Sequence, residues 1–440
     1  MTTGWCEEGR FMAFTMTFVT LGLLMILGIP IAISLLLSGT LGYMLAIGFQ
    51  PGITALAQGA YSDLNSFVII AIPLYILMGQ LMLKGGAGRD LFDLAQRFLG
   101  RLPGGLAIAA VAASAIFAAI SGSSTATAAT IGSISIPEML ERGYDRRMAM
   151  GSVAVAGTLG ILIPPSISFI LYSLVTDTSV GQLFMAGVLP GILLATLFIV
   201  YTIITARRRM KHGSGTVMGD RRVIPVTRGM IGSLLMIPIV LGGIYLGWFT
   251  PTEAAAVGVV YALLLTVVLK RTMTWKLMWQ ASLDSVVTSA MILMLIAGAS
   301  VFGNTLSLLR VPQDVTAWLE GMHLNIWQFM IAINILYLIL GMFMDAAAAI
   351  LVTIPILLPG LQALHINLIW FGVILVMNME IGAVTPPVGM NLFVVQALRD
   401  DFTIREVLMG SLPYAFVGLI GLIIVMIFPN IALVLHGLLG

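Results

Sequence analysis

Two stretches of this 440-residue chain carry the same unusual pattern at one fixed offset. Gly160-Ile-Leu-Ile-Pro164-Pro165 recurs as Gly382-Ala-Val-Thr-Pro386-Pro387. Upstream, Ser123 to Pro137 lies over Asp345 to Pro359, and both matches are displaced by 222 residues (386 − 164 and 359 − 137). Each copy has a small polar interruption of an apolar run, then a Gly-x-x-x-Pro-Pro interruption further on. A membrane chain that breaks its helices twice, at corresponding places in two halves, is built like a transporter with its binding site at the breaks.

Composition sets the solvent. Hydrophobic residues make up 59% and charged residues 9%. A soluble domain of this size needs a far more polar surface. Apolar runs of roughly 17–25 residues recur, long enough to cross a bilayer as helices. The short alternating segments of a transmembrane barrel are absent. The single cysteine, Cys6, provides neither a disulfide framework nor a metal cluster. Glu7 and Glu8 precede the first apolar run, which lacks a cleavage site, so no cleavable signal peptide is expected. The expected class is an all-α polytopic membrane protein.

The first half reads as spans at 11–28, 30–48 and 64–83, followed by an amphipathic stretch at 84–101. A re-entrant hairpin then turns at Ser121-Gly-Ser-Ser-Thr125, a span is broken at Gly160 to Pro165, and a last span covers 183–205. The second half repeats this order, with spans at 229–247, 252–270 and 278–305 and an interfacial stretch at 306–325. Its hairpin turns at Gly341 to Asp345, its broken span is 368–397, and its last span is 407–428. Five crossings plus one hairpin per half is an odd number of crossings, so two inverted repeats are expected, with broken helices at the midplane. Charge agrees: 19 of the 21 Lys and Arg, all but Arg10 and Arg310, fall on one side. That side is cytoplasmic by the positive-inside rule, and both termini are expected opposite.

In hydrocarbon an unpaired backbone carbonyl or N–H costs several kcal/mol. Broken helix is therefore kept at membrane depth only where it is buried or lines a polar cavity. Pro165 and Pro387 each remove a donor and turn the preceding residue away from helix. The carbonyls freed before each break suit a sodium ion. The N–H groups freed where the helix resumes suit an anion. Ser121, Ser123, Ser124 and Thr125 add hydroxyls, and Gly122 permits a tight turn. Asp345 stands where Ser123 stands, and a carboxylate at membrane depth is expensive unless a cation pairs with it. The ligand set is oxygen only.

Other readings stay open at this level. A Pro-Pro pair also makes a plain kink, the Ser/Thr run also serves small-residue helix packing, and Asp345 also fits an interfacial position. Glu380 is either a proton or substrate group, or it pairs with nearby backbone or solvent. Glu253, after Thr250-Pro-Thr, reads as a helix cap. His212, His323, His365 and His436 lie in loops or near helix ends, and no nucleophile–base pair or metal set appears, so no enzyme is expected. Pro-Pro breaks inside full spans argue against an ion channel.

Ala118-Ala-Ile-Ser-Gly-Ser-Ser-Thr-Ala126, Ile136-Pro-Glu-Met-Leu-Glu-Arg-Gly-Tyr-Asp-Arg146, Gly160 to Ser166, Phe343-Met-Asp345 and Gly382-Ala-Val-Thr-Pro-Pro-Val-Gly389 carry a family resemblance. Over nearly its whole length the chain resembles the large membrane subunit of tripartite ATP-independent periplasmic (TRAP) transporters. The resemblance implies a sodium-driven elevator symporter in the bacterial inner membrane, with no cofactor beyond sodium as coupling ion. Its substrate is an organic acid such as a C4-dicarboxylate or sialic acid. Its partners are a separate small four-helix membrane subunit and a soluble periplasmic binding protein, with no nucleic acid. It further implies a first repeat at 1–205 (scaffold 11–101, transport elements 104–205) and a cytoplasmic linker at 206–228. The second repeat is then 229–440 (scaffold 229–325, transport elements 326–428). Carried onto this sequence, one sodium site uses Ser121, Ser123, Thr158 and Gly160. The other uses Gly341, Asp345, Gly382 and Thr385. Substrate contacts are expected at Ser124, Thr125, Pro165, Ser166, Pro387 and Asn391. The alternative is a stand-alone sodium- or proton-coupled carboxylate transporter of the same fold.

Overall fold

The computed structural model describes residues 3–211, 224–322 and 325–439. The expected linker at 206–228 falls mostly outside these residues, as do His212 and His323. The side chains of Cys6 and His436 also lie outside what is described.

Every regular element among the described residues is helical. The first half comprises α1 (Thr3–Ile26), α2 (Ile31–Ile47), α3 (Phe49–Leu64), α4 (Ala71–Lys84), α5 (Ala87–Leu99), α6 (Gly105–Ser121), α7 (Ser124–Glu141), α8 (Arg146–Thr158), α9 (Ile167–Thr176) and α10 (Val180–Lys211). The second comprises α11 (Arg228–Tyr245), α12 (Pro251–Leu263), α13 (Trp275–Leu308), α14 (Val311–Gly321), α15 (Ile326–Phe343), α16 (Ala346–Ala363), α17 (Leu368–Gly382), α18 (Met390–Gln396), α19 (Ile404–Ile427) and α20 (Asn430–Leu439). Nine helical segments among the described residues are long and apolar enough to cross a membrane. The protein is thus an all-helical, multi-pass membrane protein.

The 222-residue offset survives folding. α7 and α16 start 222 residues apart (346 − 124) and end 222 apart (363 − 141). Two helices were not anticipated, α3 and α20, and each has a local cause. In the second half α13 runs unbroken over 34 residues. The matching stretch of the first half is cut at Asn65-Ser66, where Ser66 is extended and a 3-10 turn, Phe67–Ile70, leads into α4. Asn and Ser compete for local backbone bonds and so favour such a cut. Conversely α10 runs unbroken over 32 residues. Its counterpart is split into α19 and α20 beside Pro429, which lacks an N–H.

Local rules account for other details. Glu253 and Thr250 form a reciprocal capping box at the start of α12: the Thr250 N–H donates to Glu253 Oε2 (2.8 Å) and the Glu253 N–H donates to Thr250 Oγ1 (3.3 Å). α5 is the expected amphipathic arm, with Leu91, Phe92 and Ala95 buried. Its Asp90 turns inward to Lys270 Nζ (2.5 Å) and accepts from Ser233 Oγ (3.0 Å), with both ion-pair partners largely buried. Removing one partner of such a pair costs about 3–5 kcal/mol, so the arm is fixed to the second half.

The halves interlock around the breaks. α9, which follows the first break, packs on α16, an arm of the second hairpin. α18, which follows the second break, packs on α7, an arm of the first hairpin. α10 lies against α17 and α19, and α8 against α19.

Candidate functional site

At the first hairpin tip α6 ends on Ser121 and Gly122 takes a left-handed φ of 59°, a conformation favouring glycine. Ser123 then caps α7, accepting from the Ala126 N–H at 3.4 Å. Ser121 Oγ lies 2.7 Å from Thr127 Oγ1, and Thr127 Oγ1 donates to the Ser123 carbonyl (2.8 Å). Thr127 was missed in the sequence; its position one turn after Ser123 was the available signal.

The break meets this tip directly. α8 gives way to a 3-10 turn, Leu159–Ile161. A Cβ on Gly160 would lie 2.4 Å from the Ser123 carbonyl oxygen, and one on Gly122 would lie 2.8 Å from the Pro165 carbonyl oxygen. Only hydrogen fits at either place. Thr158 is buried, with its hydroxyl donating to Val155 O (2.7 Å). Ser166 is buried, caps α9 and donates to the Ile161 carbonyl.

The second junction repeats the plan. Asp345 caps α16, with Oδ1 accepting from the Ala348 N–H at 3.0 Å. The two capped amides are themselves 222 residues apart (348 − 126). A Cβ on Gly382 would lie 2.6 Å from the Gly341 backbone. The Gly389 N–H donates to the Met342 carbonyl (3.2 Å), tying the far side of the break to the tip. Thr385 Oγ1 donates to Ile381 O (2.6 Å). Both Pro164–Pro165 and Pro386–Pro387 are cis.

The expected site residues thus fall into two junctions. Ser121, Ser123 and Gly160 meet at one, with Pro165 beneath the tip. Gly341 and Gly382 meet at the other, with Asp345 at the tip and Thr385 at the break. Thr125 Oγ1 lies 3.3 Å from Ser123 Oγ. Ser124 and Asn391 bridge the halves: Asn391 Nδ2 donates to Ser124 Oγ (2.7 Å) and to the Ala154 carbonyl (3.1 Å). Pro387 is exposed, unlike Pro165. Asp345 is exposed and its carboxylate accepts a helix N-terminal N–H, so it does not sit unpaired in a dry interior. Glu380 pairs with neither backbone nor solvent. It is 2% exposed, and neither carboxyl oxygen has a hydrogen-bond partner.

Chemically, both junctions offer oxygen: hydroxyls and carbonyls at the first, hydroxyl, carbonyls and a carboxylate at the second. This suits a hard cation such as sodium. Among the described residues no group of three His, Cys, Asp or Glu comes together. A groove of about 500 Å³ between α1 and α14 holds the Arg10–Asp314 ion pair (3.1 Å), and neither tip is among its lining residues.

Two hairpin tips, each butted against a broken helix in a multi-span helical protein, define a membrane transport protein of the broken-helix kind. The chain belongs to the DctM component family of tripartite ATP-independent periplasmic transporters, whose family model matches residues 18–431. It is 41% identical over 408 residues to the C4-dicarboxylate TRAP transporter large permease protein DctM of Pseudomonas aeruginosa, covering 92% of this chain and 94% of that one. It is 33% identical to the sialic acid TRAP transporter large permease protein SiaM of Vibrio cholerae, covering 95% of this chain and 97% of that one. It is 30% identical to the ectoine TRAP transporter large permease protein TeaC of Halomonas elongata, covering 94% and 97%. These relatives are transporter permeases, not enzymes. The crystal structure of the YdaH transporter of Alcanivorax borkumensis shares the fold, with a TM-score of 0.59 and 15% identity, over 84% of this chain and 87% of that one.

Proposed function

We propose that this chain is the large permease subunit of a sodium-coupled, binding-protein-dependent symporter that imports an organic acid by an elevator movement. The observation that carries this reading is the pairing of each hairpin tip with the break of its own half through a glycine that leaves no room for a side chain. On this reading the halves are inverted repeats in a bacterial inner membrane, with both termini periplasmic. The spans at 11–101 and 229–325 form the scaffold, and the hairpins and broken helices form the moving part. Two relatives named for C4-dicarboxylates and for sialic acid point to a carboxylate as cargo.

Ser121, Ser123 and the backbone at Thr158 and Gly160 hold one cation. Gly341, Asp345, Gly382, Thr385 and the carbonyls before Pro386 hold the other. Sodium, when bound, supplies the positive charge that lets Asp345 and a carboxylate substrate cross the membrane. Thr125 and helix N-terminal N–H groups take the carboxylate, while the buried Ser166, its hydroxyl hydrogen given to the Ile161 carbonyl, shapes the break beneath them. A partly loaded carrier leaves Asp345 uncompensated and is costly to move, which gives coupling its physical basis. A small four-helix membrane subunit braces the scaffold, and a soluble periplasmic protein delivers substrate.

The test is uptake of a radiolabelled C4-dicarboxylate and of sialic acid into proteoliposomes holding the chain and its small partner, with and without the binding protein. Uptake that needs both an inward sodium gradient and the binding protein is expected. Uptake driven by a pH gradient without sodium would replace this reading with the proton-coupled alternative.

A further inference from the structure

One side chain joins the two junctions. Asn391 stands at the start of α18, two residues after Gly389, whose N–H is held by the Met342 carbonyl at the second tip (3.2 Å). The Asn391 N–H is held by the Ala383 carbonyl of the second break (3.1 Å). Its side chain, completely buried, reaches into the other half. There Nδ2 donates to Ser124 Oγ at 2.7 Å and to the Ala154 carbonyl at 3.1 Å. A carbonyl only accepts, so the bond to Ala154 fixes which end of the amide faces the first half. Ser124 is the first residue of α7, next to Ser123, which caps that helix. A continuous run of hydrogen bonds and three residues of backbone therefore links the second tip to the first.

Among the described residues a side-chain link of this kind to a tip occurs once. At the 222-residue offset Asn391 corresponds to Phe169, at the start of α9. Phe169 is fully buried and packs its ring against Gly187. Gly187 belongs to the same half, and the hydrogen bond that α9 does make across the halves, from the Tyr172 hydroxyl to the Leu368 carbonyl (2.7 Å), lands at the start of α17 and not on the second tip.

We propose that Asn391 is a positioning residue that couples the two cation-binding junctions, so that ordering one tip favours the ordering of the other. The inference rests on the sodium reading of those junctions. Both Nδ2 hydrogens of Asn391 are spent, on Ser124 Oγ and on the Ala154 carbonyl, and its Oδ1 has no partner and can only accept, so Asn391 transmits order between the halves rather than holding the carboxylate.

The purified full chain is followed by thermal unfolding while sodium chloride replaces choline chloride at constant ionic strength. The wild-type melting temperature is expected to rise with sodium, with a Hill slope near about 2, the ceiling for two coupled sites. Asn391→Ala is expected to drop the slope to about 1 and raise half-saturating sodium by roughly 5- to 10-fold. Ser124→Ala, which removes one hydroxyl and leaves Asn391 in place, is expected to lose the slope as well, and carries the test if the first variant does not fold. The double variant adds nothing further, because both changes cut the same link. A uniformly lowered melting temperature with the wild-type slope retained in both variants would make Asn391 merely structural and overturn the coupling. A wild-type chain with no sodium response would overturn the sodium reading itself, and the coupling with it.

Discussion

The two tip–break junctions are built alike but sit in different surroundings. Each has a capping side chain at the tip, a cis Pro-Pro pair at the break and a glycine pressed on backbone between them. At the first junction Pro164, Pro165 and Ser166 are buried, and the tip carries hydroxyls. At the second, Pro386, Pro387 and Val388 are exposed, and the tip carries the exposed Asp345. The chemistry follows the surroundings. A serine cap costs little to bury, whereas an uncompensated carboxylate in a closed junction costs several kcal/mol. Duplication thus repeats the contact geometry and leaves each copy free to differ in charge.

The largest difference is expected from filling the glycines. Gly160→Ala forces a methyl onto the Ser123 carbonyl in the closed junction and should destabilise the chain by about 1–3 kcal/mol. Gly382→Ala should cost less: Gly382 and Gly341 are themselves buried, but the exposed Asp345 and Pro386 to Val388 beside them leave the flanking backbone free to shift. Thermal unfolding of both variants checks the ranking, and equal losses would erase the distinction between closed and open copies.

Charge comes next. Asp345→Asn should raise half-saturating sodium for uptake about tenfold, the loss of one charge-assisted contact. Ser123→Ala removes a neutral oxygen and should raise it only about threefold. A larger effect at Ser123 would place the dominant cation site in the buried junction.

Exposure itself is open to direct measurement. In a Cys6→Ser background, Val388→Cys should react with a water-soluble maleimide while Ser166→Cys stays unlabelled. Matching rates would mean that the two junctions open together.

The smallest effect is expected at a link between halves lying outside the spans. Arg146, at the start of α8, pairs with Asp401 (3.0 Å), and Arg399 pairs with it as well (2.9 Å). Desolvation draws the Asp401 carboxyl upward, but the hydrogen bonds and charges of Arg146 and Arg399 outweigh it and hold the group below its usual range. Its contribution to stability is therefore present above the unfolded carboxyl value and is lost as pH falls through the lower folded one. Asp401 and Arg399 are exposed and Arg146 is half-buried, so Asp401→Asn should scarcely change the melting temperature near neutrality. The buried Ser124–Asn391 link should matter more, by the greater cost of leaving a dry amide unpaired.

Much of this molecule is local and so was legible in the chain. Apolar runs fixed the helices, Pro-Pro pairs fixed the breaks, and Ser123, Asp345 and Thr250 with Glu253 fixed helix starts, because each effect acts within a turn or two of its cause. The interruptions at Asn65-Ser66 and Pro429 were also written there, but weakly, and α3 and α20 escaped notice. What only tertiary structure decided is non-local. The crossing of α9 onto α16 and of α18 onto α7 brings Asn391 beside Ser124 across 267 residues. The burial of one junction, the exposure of the other and the sealing of Glu380 depend on which helices surround each break. No periodicity or spacing encodes that, since burial belongs to the packed assembly of helices and not to any segment alone.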